Sequence, residues 1–97
     1  MSVTLNALIT VKPEFRESYL ALARTMIEKS RAEEGNISYT LYENIEAPSS
    51  FVFVEEWVDV AAIEEVHNVS AHFIEFRKQN KEMLERETVV KRYFPAE

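Results

Sequence analysis

Ninety-seven residues make one domain, spanning 1–97, and are too few for two. With 46% hydrophobic and 29% charged residues the composition is that of a soluble globular protein, and a net charge of −6 argues against nucleic-acid backbones and anionic membrane surfaces as partners. The absence of cysteine removes disulfides, thiolate metal sites, iron–sulfur clusters and cysteine nucleophiles, and a single glycine removes any glycine-rich phosphate cradle.

No apolar run approaches a membrane span, and the N-terminus lacks a charged region followed by an apolar one, so the expected location is the cytoplasm. A chain this short buries a modest share of its surface and is marginal alone unless it packs against something.

Val3, Leu5, Ala7, Ile9 and Val11 alternate with Thr4, Asn6, Leu8 and Thr10, the period of two that makes a strand. Both sets are fairly apolar, so both faces are expected to be partly covered. Asn6 is the exception. An amide in mid-strand needs a partner if buried, and the position fits either a solvated edge or a pocket. Pro13 suits the first position of a helix. Phe15, Tyr19, Leu22, Met26 and Ser30 then recur on one stripe, widened by Leu20, Ala23 and Ile27, and read as core. Acids at its start and Lys29 and Arg31 at its end match the helix dipole. Glu33-Glu34-Gly35 ends it, with the glycine where a left-handed cap is expected.

Ile37, Tyr39, Leu41 and Glu43 alternate with Ser38, Thr40 and Tyr42 in a second strand, and Asn44 to Ser50 is a polar hairpin loop. A third strand puts Phe51, Phe53, Glu55 and Trp57 on one face and Val52, Val54, Glu56 and Val58 on the other. The aromatic face is expected to pack on helices. The valine face has nothing left to cover it in a small monomer, so sheet-to-sheet packing in a homodimer is expected. Asp59 fits the N-cap of a helix from about Ala61. Asn68 to Ser70 interrupts that helix, and Ser70 fits a second cap. Phe73, Phe76, Asn80, Met83 and Leu84 carry the second piece, and Thr88 to Phe94 alternates as a last strand. Strand, helix, strand, twice over, is an α+β, ferredoxin-like βαββαβ plan, with an antiparallel sheet and helices on one face.

The chemistry concentrates between Phe51 and Phe76. His67 and His72 are five apart, a spacing that points them away from each other on an unbroken helix but lets them converge across the break. His72 falls in the first turn of the second piece, where the helix terminus opposes a positive charge and favours neutral imidazole. Either histidine alone also fits a partly exposed helix end. Glu55, beside Phe53 and Trp57 on the apolar face, needs a partner and could orient a histidine or pair with a base at the sheet end. Trp57 reads as core or as a pocket wall, with an indole N–H that needs an acceptor if buried. Glu55, His67 and His72 are the residue types of a two-histidine, one-carboxylate iron site, but the usual ligand spacings are absent and no metal is expected.

Glu34-Gly35, Tyr39-Thr40-Leu41-Tyr42, Phe51, Glu55-Glu56-Trp57, Asp59, Ala61-Ala62, His67 and Ser70-Ala71-His72-Phe73 stand in an order and spacing that resembles the antibiotic biosynthesis monooxygenase family. This is a dimeric ferredoxin-like group that includes quinol monooxygenases, heme-degrading enzymes and an isomerase of a sugar-phosphate signal. The resemblance implies a homodimer and a pocket between sheet and helices that takes a small aromatic or quinol-like molecule and oxygen, with no cofactor. It implies His67 or His72 as base and Asn6 and Trp57 as donors to the substrate anion, with Glu55, Phe53, Tyr39 and Phe73 in contact with substrate. The alternative it leaves is a non-oxidative member, an isomerase or a ligand-binding dimer. Two positions depart from the family's patterns. Asn36 stands where many members have cysteine, and Phe76 lies near where the heme-degrading members carry their iron-binding histidine.

Overall fold

The computed structural model describes residues 1–97. Four strands, β1 (Val3–Thr10), β2 (Asn36–Glu43), β3 (Ser50–Trp57) and β4 (Val89–Tyr93), pair antiparallel in the order β2-β3-β1-β4. Helix α1 (Arg16–Arg31) connects β1 to β2. A π-helical segment (Ala62–His67) and helix α2 (Ala71–Asn80) connect β3 to β4. The architecture is the expected ferredoxin-like α+β plan. No helix is long and apolar enough to cross a membrane.

The period-two pattern sorts the side chains as expected. Val3, Leu5, Ala7 and Ile9 of β1 and Phe51, Phe53, Glu55 and Trp57 of β3 are all buried on the helix side. They sit in register, Leu5 opposite Glu55 and Ala7 opposite Phe53. Helix α1 lays Tyr19, Ala23, Met26 and Ser30 onto this face. The Tyr19 ring stacks on Phe51 at 5.6 Å between centroids, and Phe76 of α2 meets Tyr19 at 5.8 Å and Phe53 at 6.1 Å. Sheet, α1 and α2 thus close on one aromatic cluster, each buried ring contributing roughly 1.5–3 kcal/mol. The opposite face carries Asn6 beside Val54 and Lys91, and Leu8 beside Val52 and Val89. It stays open to solvent at Leu8, Tyr42 and Val89.

Two local expectations change. Pro13 starts a 3-10 turn (Pro13–Phe15), and α1 proper begins at Arg16. Gly35 does not cap α1 in a left-handed conformation, since no glycine has a positive φ. Its role is close approach: a Cβ at this position would lie 2.6 Å from the Ala62 Cβ. Lacking one, the turn after α1 docks directly against the start of the π-helical segment. The left-handed residue is Ser49 (φ 70°) in the β2–β3 loop. Its N–H donates to Glu43 Oε2 at 2.9 Å, and Arg16 clamps the same carboxylate through Nε and Nη2 at 2.9 and 2.6 Å. That clamp holds the Glu43 carboxyl down at about 2.

Candidate active site

The two histidines are brought together by an irregularity in the helical connection. Asp59 Oδ1 accepts from the Ala62 N–H at 2.8 Å and starts the first piece, as its capping role predicted. The winding is then wider than α: the Asn68 N–H donates to the Ile63 carbonyl, five residues back, at 2.8 Å. The chain breaks after Asn68. Ser70 caps α2 by accepting from the Phe73 N–H at 3.3 Å, while its hydroxyl donates to the His67 carbonyl at 2.7 Å. One serine therefore ties the end of the first piece to the start of the second. The imidazoles of His67 and His72 end up 6.0 Å apart, centre to centre.

Both rings point at a residue the sequence did not single out. Glu33, in the turn after α1, places its Oε2 2.7 Å from His67 Nδ1 and 2.9 Å from His72 Nε2. A carboxylate can only accept, so each facing ring nitrogen carries its hydrogen. For neutral His67 this puts the lone pair on Nε2, which is buried and has no hydrogen-bond partner. Around it lie the rings of Phe73 at 4.6 Å, Trp57 at 4.7 Å and Tyr39 at 5.6 Å. Burial lowers the His67 pKa below its ordinary 6.5, with Glu33 pulling the other way. Glu33 is itself nearly buried, its side chain 9% exposed, and its second oxygen is unpartnered.

Glu55 does not reach either histidine through a hydrogen bond. It accepts from the Trp57 indole N–H at 3.0 Å. Burial pushes its carboxyl up to about 7, against the downward effect of that N–H. The indole donor is thereby occupied, and Trp57, fully buried, packs its ring on His67 at a tilt of 43°. Tyr39 and Phe53 lie deeper, within the core. The Tyr39 hydroxyl donates to Met26 Sδ at 3.3 Å, and the Phe53 ring packs on Tyr39 and Phe76. Phe73 is half-buried at the outer side of His67, with the Arg77 guanidinium 5.9 Å from its ring centre.

Asn6 is the clear correction. Expected in the pocket with Trp57, it lies on the other face of the sheet, because Leu5 and Ala7 on either side of it point toward the helices. The residues brought together on the helix side are His67, His72, Trp57, Glu55, Phe73 and, unforeseen, Glu33. Glu33 is 34 residues from His67 in the chain and looks like an ordinary acid at a helix exit. Its neighbour Gly35, the close-packing point against Ala62, is the local signal that this turn abuts the histidine-bearing segment.

A cavity of about 530 Å³ opens beside the cluster. Glu33 and Trp57 form part of its wall, and Glu34, Asp59 and Glu65 make it acidic.

The chain has counterparts among known proteins. The family model described as "Antibiotic biosynthesis monooxygenase" matches residues 2–79, which takes in β1, α1, the sheet centre, both histidines and Glu33. The chain belongs to the antibiotic biosynthesis monooxygenase family. It is 45% identical over 82 residues to the Bacillus subtilis protein named "Putative monooxygenase YcnE", covering 84% of this chain and 85% of that one. Among solved structures it is similar to Rv0793 from Mycobacterium tuberculosis, with a TM-score of 0.92 and 31% identity over 100% of this chain and 97% of that one. It is also similar to a conserved protein from Methanosarcina mazei Go1, with a TM-score of 0.91 and 32% identity, covering 96% and 91% of the two chains. The first of these structures is of a protein that bears the name "Putative monooxygenase Rv0793". Family membership agrees with the resemblance carried by the sequence motifs, and in this member the two histidines are joined through Glu33.

Proposed function

We propose that the protein is a monooxygenase that oxidises a small aromatic hydroquinone or polyphenol with molecular oxygen, drawing the electrons from the substrate itself. The observation that carries this reading is the bond from His67 Nδ1–H to Glu33, which fixes the tautomer and leaves the Nε2 lone pair in an apolar, aromatic-walled site. That is how a histidine is prepared as a general base. Its pKa, lowered by burial, favours the neutral imidazole.

In the proposed reaction Nε2 takes the phenolic proton, and the electron-rich anion passes an electron to oxygen. One oxygen atom then bonds to a ring carbon and the other leaves as water. The hydroquinone supplies all four electrons, two in ring hydroxylation and two in oxidation to the quinone. Glu33 stabilises the imidazolium that forms on proton transfer, and His72 holds Glu33 in place from the other side. Half-buried Phe73, in contact with His67, moves aside for substrate to reach Nε2, and Trp57 supplies a flat wall whose orientation Glu55 fixes. Asn6 has no part in this chemistry. Its face of the sheet, with Leu8, Val52, Val54 and Val89, is proposed to pack against a second copy of the chain, as its uncovered apolar side chains support. Sedimentation as a monomer at micromolar concentration would reject that dimer.

The test of the activity is oxygen uptake over a panel of hydroquinones. Uptake above buffer is expected, falling about 100- to 10,000-fold in His67→Ala and by at least about 100-fold in Glu33→Gln. Uptake no greater than buffer across the panel overturns the reading, as does full activity in His67→Ala. A phenolic ligand bound without oxygen consumption would place the protein with the non-oxidative members.

A further inference from the structure

The Glu33–His67–His72 cluster also has the composition and spacing of a ligand set. His67 Nδ1, His72 Nε2 and a Glu33 carboxylate oxygen lie within 4.8 Å of one another. They come from the turn after α1, the end of the π-helical segment and the first turn of α2, so the fold fixes each from a different direction. Two imidazoles and one carboxylate suit zinc, iron(II) and similar borderline cations, which bind such donors at about 2.0–2.2 Å. Around an octahedral ion at that bond length, adjacent donors sit roughly 3.0 Å apart, and around a tetrahedral one roughly 3.4 Å. The observed separations from Glu33 Oε2, 2.7 and 2.9 Å, need to open by about 0.3 Å or less for the octahedral ion and by about 0.5–0.7 Å for the tetrahedral one, while the two imidazole nitrogens, within 4.8 Å of each other, draw together.

Two further observations point to a cation. Glu33 Oε1 is buried without a partner on a side chain only 9% exposed, so the carboxylate has unused acceptor capacity where a ligand atom is needed. The adjoining cavity ends on Glu33, and its half-apolar wall carries three further carboxylates, Glu34, Asp59 and Glu65, and no basic residue. An acidic mouth in a chain of net charge −6 concentrates cations and repels anions.

We propose that Glu33, His67 and His72 form a binding site for one first-row divalent metal ion per chain. The site stands on the placement of its donors and does not require the monooxygenase reading. It does bear on that reading, because the two uses of His67 exclude each other. As a base, His67 carries hydrogen on Nδ1 and a lone pair on Nε2. As a ligand through Nδ1, it must carry hydrogen on Nε2. A bound metal therefore silences the base.

The experiment titrates chelator-treated full-length protein with zinc by calorimetry, and with cobalt(II) by visible absorption. One ion per chain is expected, with cobalt bands characteristic of nitrogen and oxygen donors. Loss of a ligand in Glu33→Gln or His72→Ala is expected to weaken binding by more than the roughly 10- to 100-fold that outer-sphere partners are worth. Glu82→Gln, a surface control away from the site, is expected to bind as the parent does. His72 is partly exposed, so His72→Ala keeps the test decisive if Glu33→Gln fails to fold, with circular dichroism as the check. No zinc binding by the folded parent up to millimolar concentration overturns the site. Equal binding by His72→Ala also overturns it, since the ion would then sit on surface acids. Neither result depends on oxygen uptake, so the metal site and the monooxygenase reading fail separately.

Discussion

Two acids serve the rings around this site, Glu55 bonded to Trp57 and Glu33 bonded to the histidines, and they use the same residue type to opposite ends. On the sheet side, Glu55 has one strong donor, the Trp57 indole, and burial pushes its carboxyl up to about 7. On the helix side, Glu33 is shared by two imidazoles. The first arrangement fixes a ring in the core, while the second holds two imidazoles in place, one of them the proposed base. The difference is the number and kind of donors offered to a buried carboxylate. It implies that damage on the sheet side shows mainly as lost stability, and damage on the helix side mainly as lost turnover or ligand binding.

Trp57→Ala tests the sheet side most severely. Removing a fully buried indole and orphaning Glu55 is expected to cost about 3–5 kcal/mol in urea unfolding. Glu55→Gln comes next and acts through pH. The Glu55 carboxyl titrates near 7 in the folded chain against an ordinary 4.5, so the native state holds this proton more tightly than the unfolded one. The parent is expected to lose stability as pH rises from about 4.5 to about 7, by on the order of 3 kcal/mol. Glutamine keeps the acceptor for the indole and has no proton to lose. The difference between the two melting-versus-pH curves should therefore isolate this slope, and identical curves would remove Glu55 as its source.

On the helix side, Gly35→Ala drives a Cβ toward Ala62 and displaces the start of the π-helical segment. Its cost is about 1–3 kcal/mol, with oxygen uptake falling further than stability alone explains. Ser70→Ala is the mildest. It removes the cap of α2 and the tie to the His67 carbonyl for about 1 kcal/mol, and its effect is expected mainly in substrate turnover. Ser70→Thr, which retains the hydroxyl, should restore both.

Much of this was legible beforehand because it rests on local patterns. Period two placed Phe53, Glu55 and Trp57 on the buried face, and the caps at Asp59 and Ser70 marked the break that lets the histidines meet. The same alternation already set Asn6 apart from Leu5 and Ala7. It was the family resemblance that drew Asn6 into the pocket, and the local rule proved the better guide. Glu33 could not be seen because its role depends on a contact between distant turns, and an acid at a helix exit carries no mark of its partner. The fold of Gly35 was misread for a related reason. A glycine after a helix signals either a special backbone or a special neighbour, and only the packing tells which.

The π-helical segment makes chain length itself a determinant of this site. Such a winding holds one residue more than the α repeat needs. Loss of a single residue between Ala62 and Val66 would let the segment rewind as ordinary helix, without the wide turn that the Asn68 N–H closes on the Ile63 carbonyl. The edited chain would keep its sheet, its core and both histidines, and loss of the His67–Glu33 bond with all of these in place would show that the wide turn sets their alignment. Turnover of that edited chain therefore tests the winding apart from every named side chain.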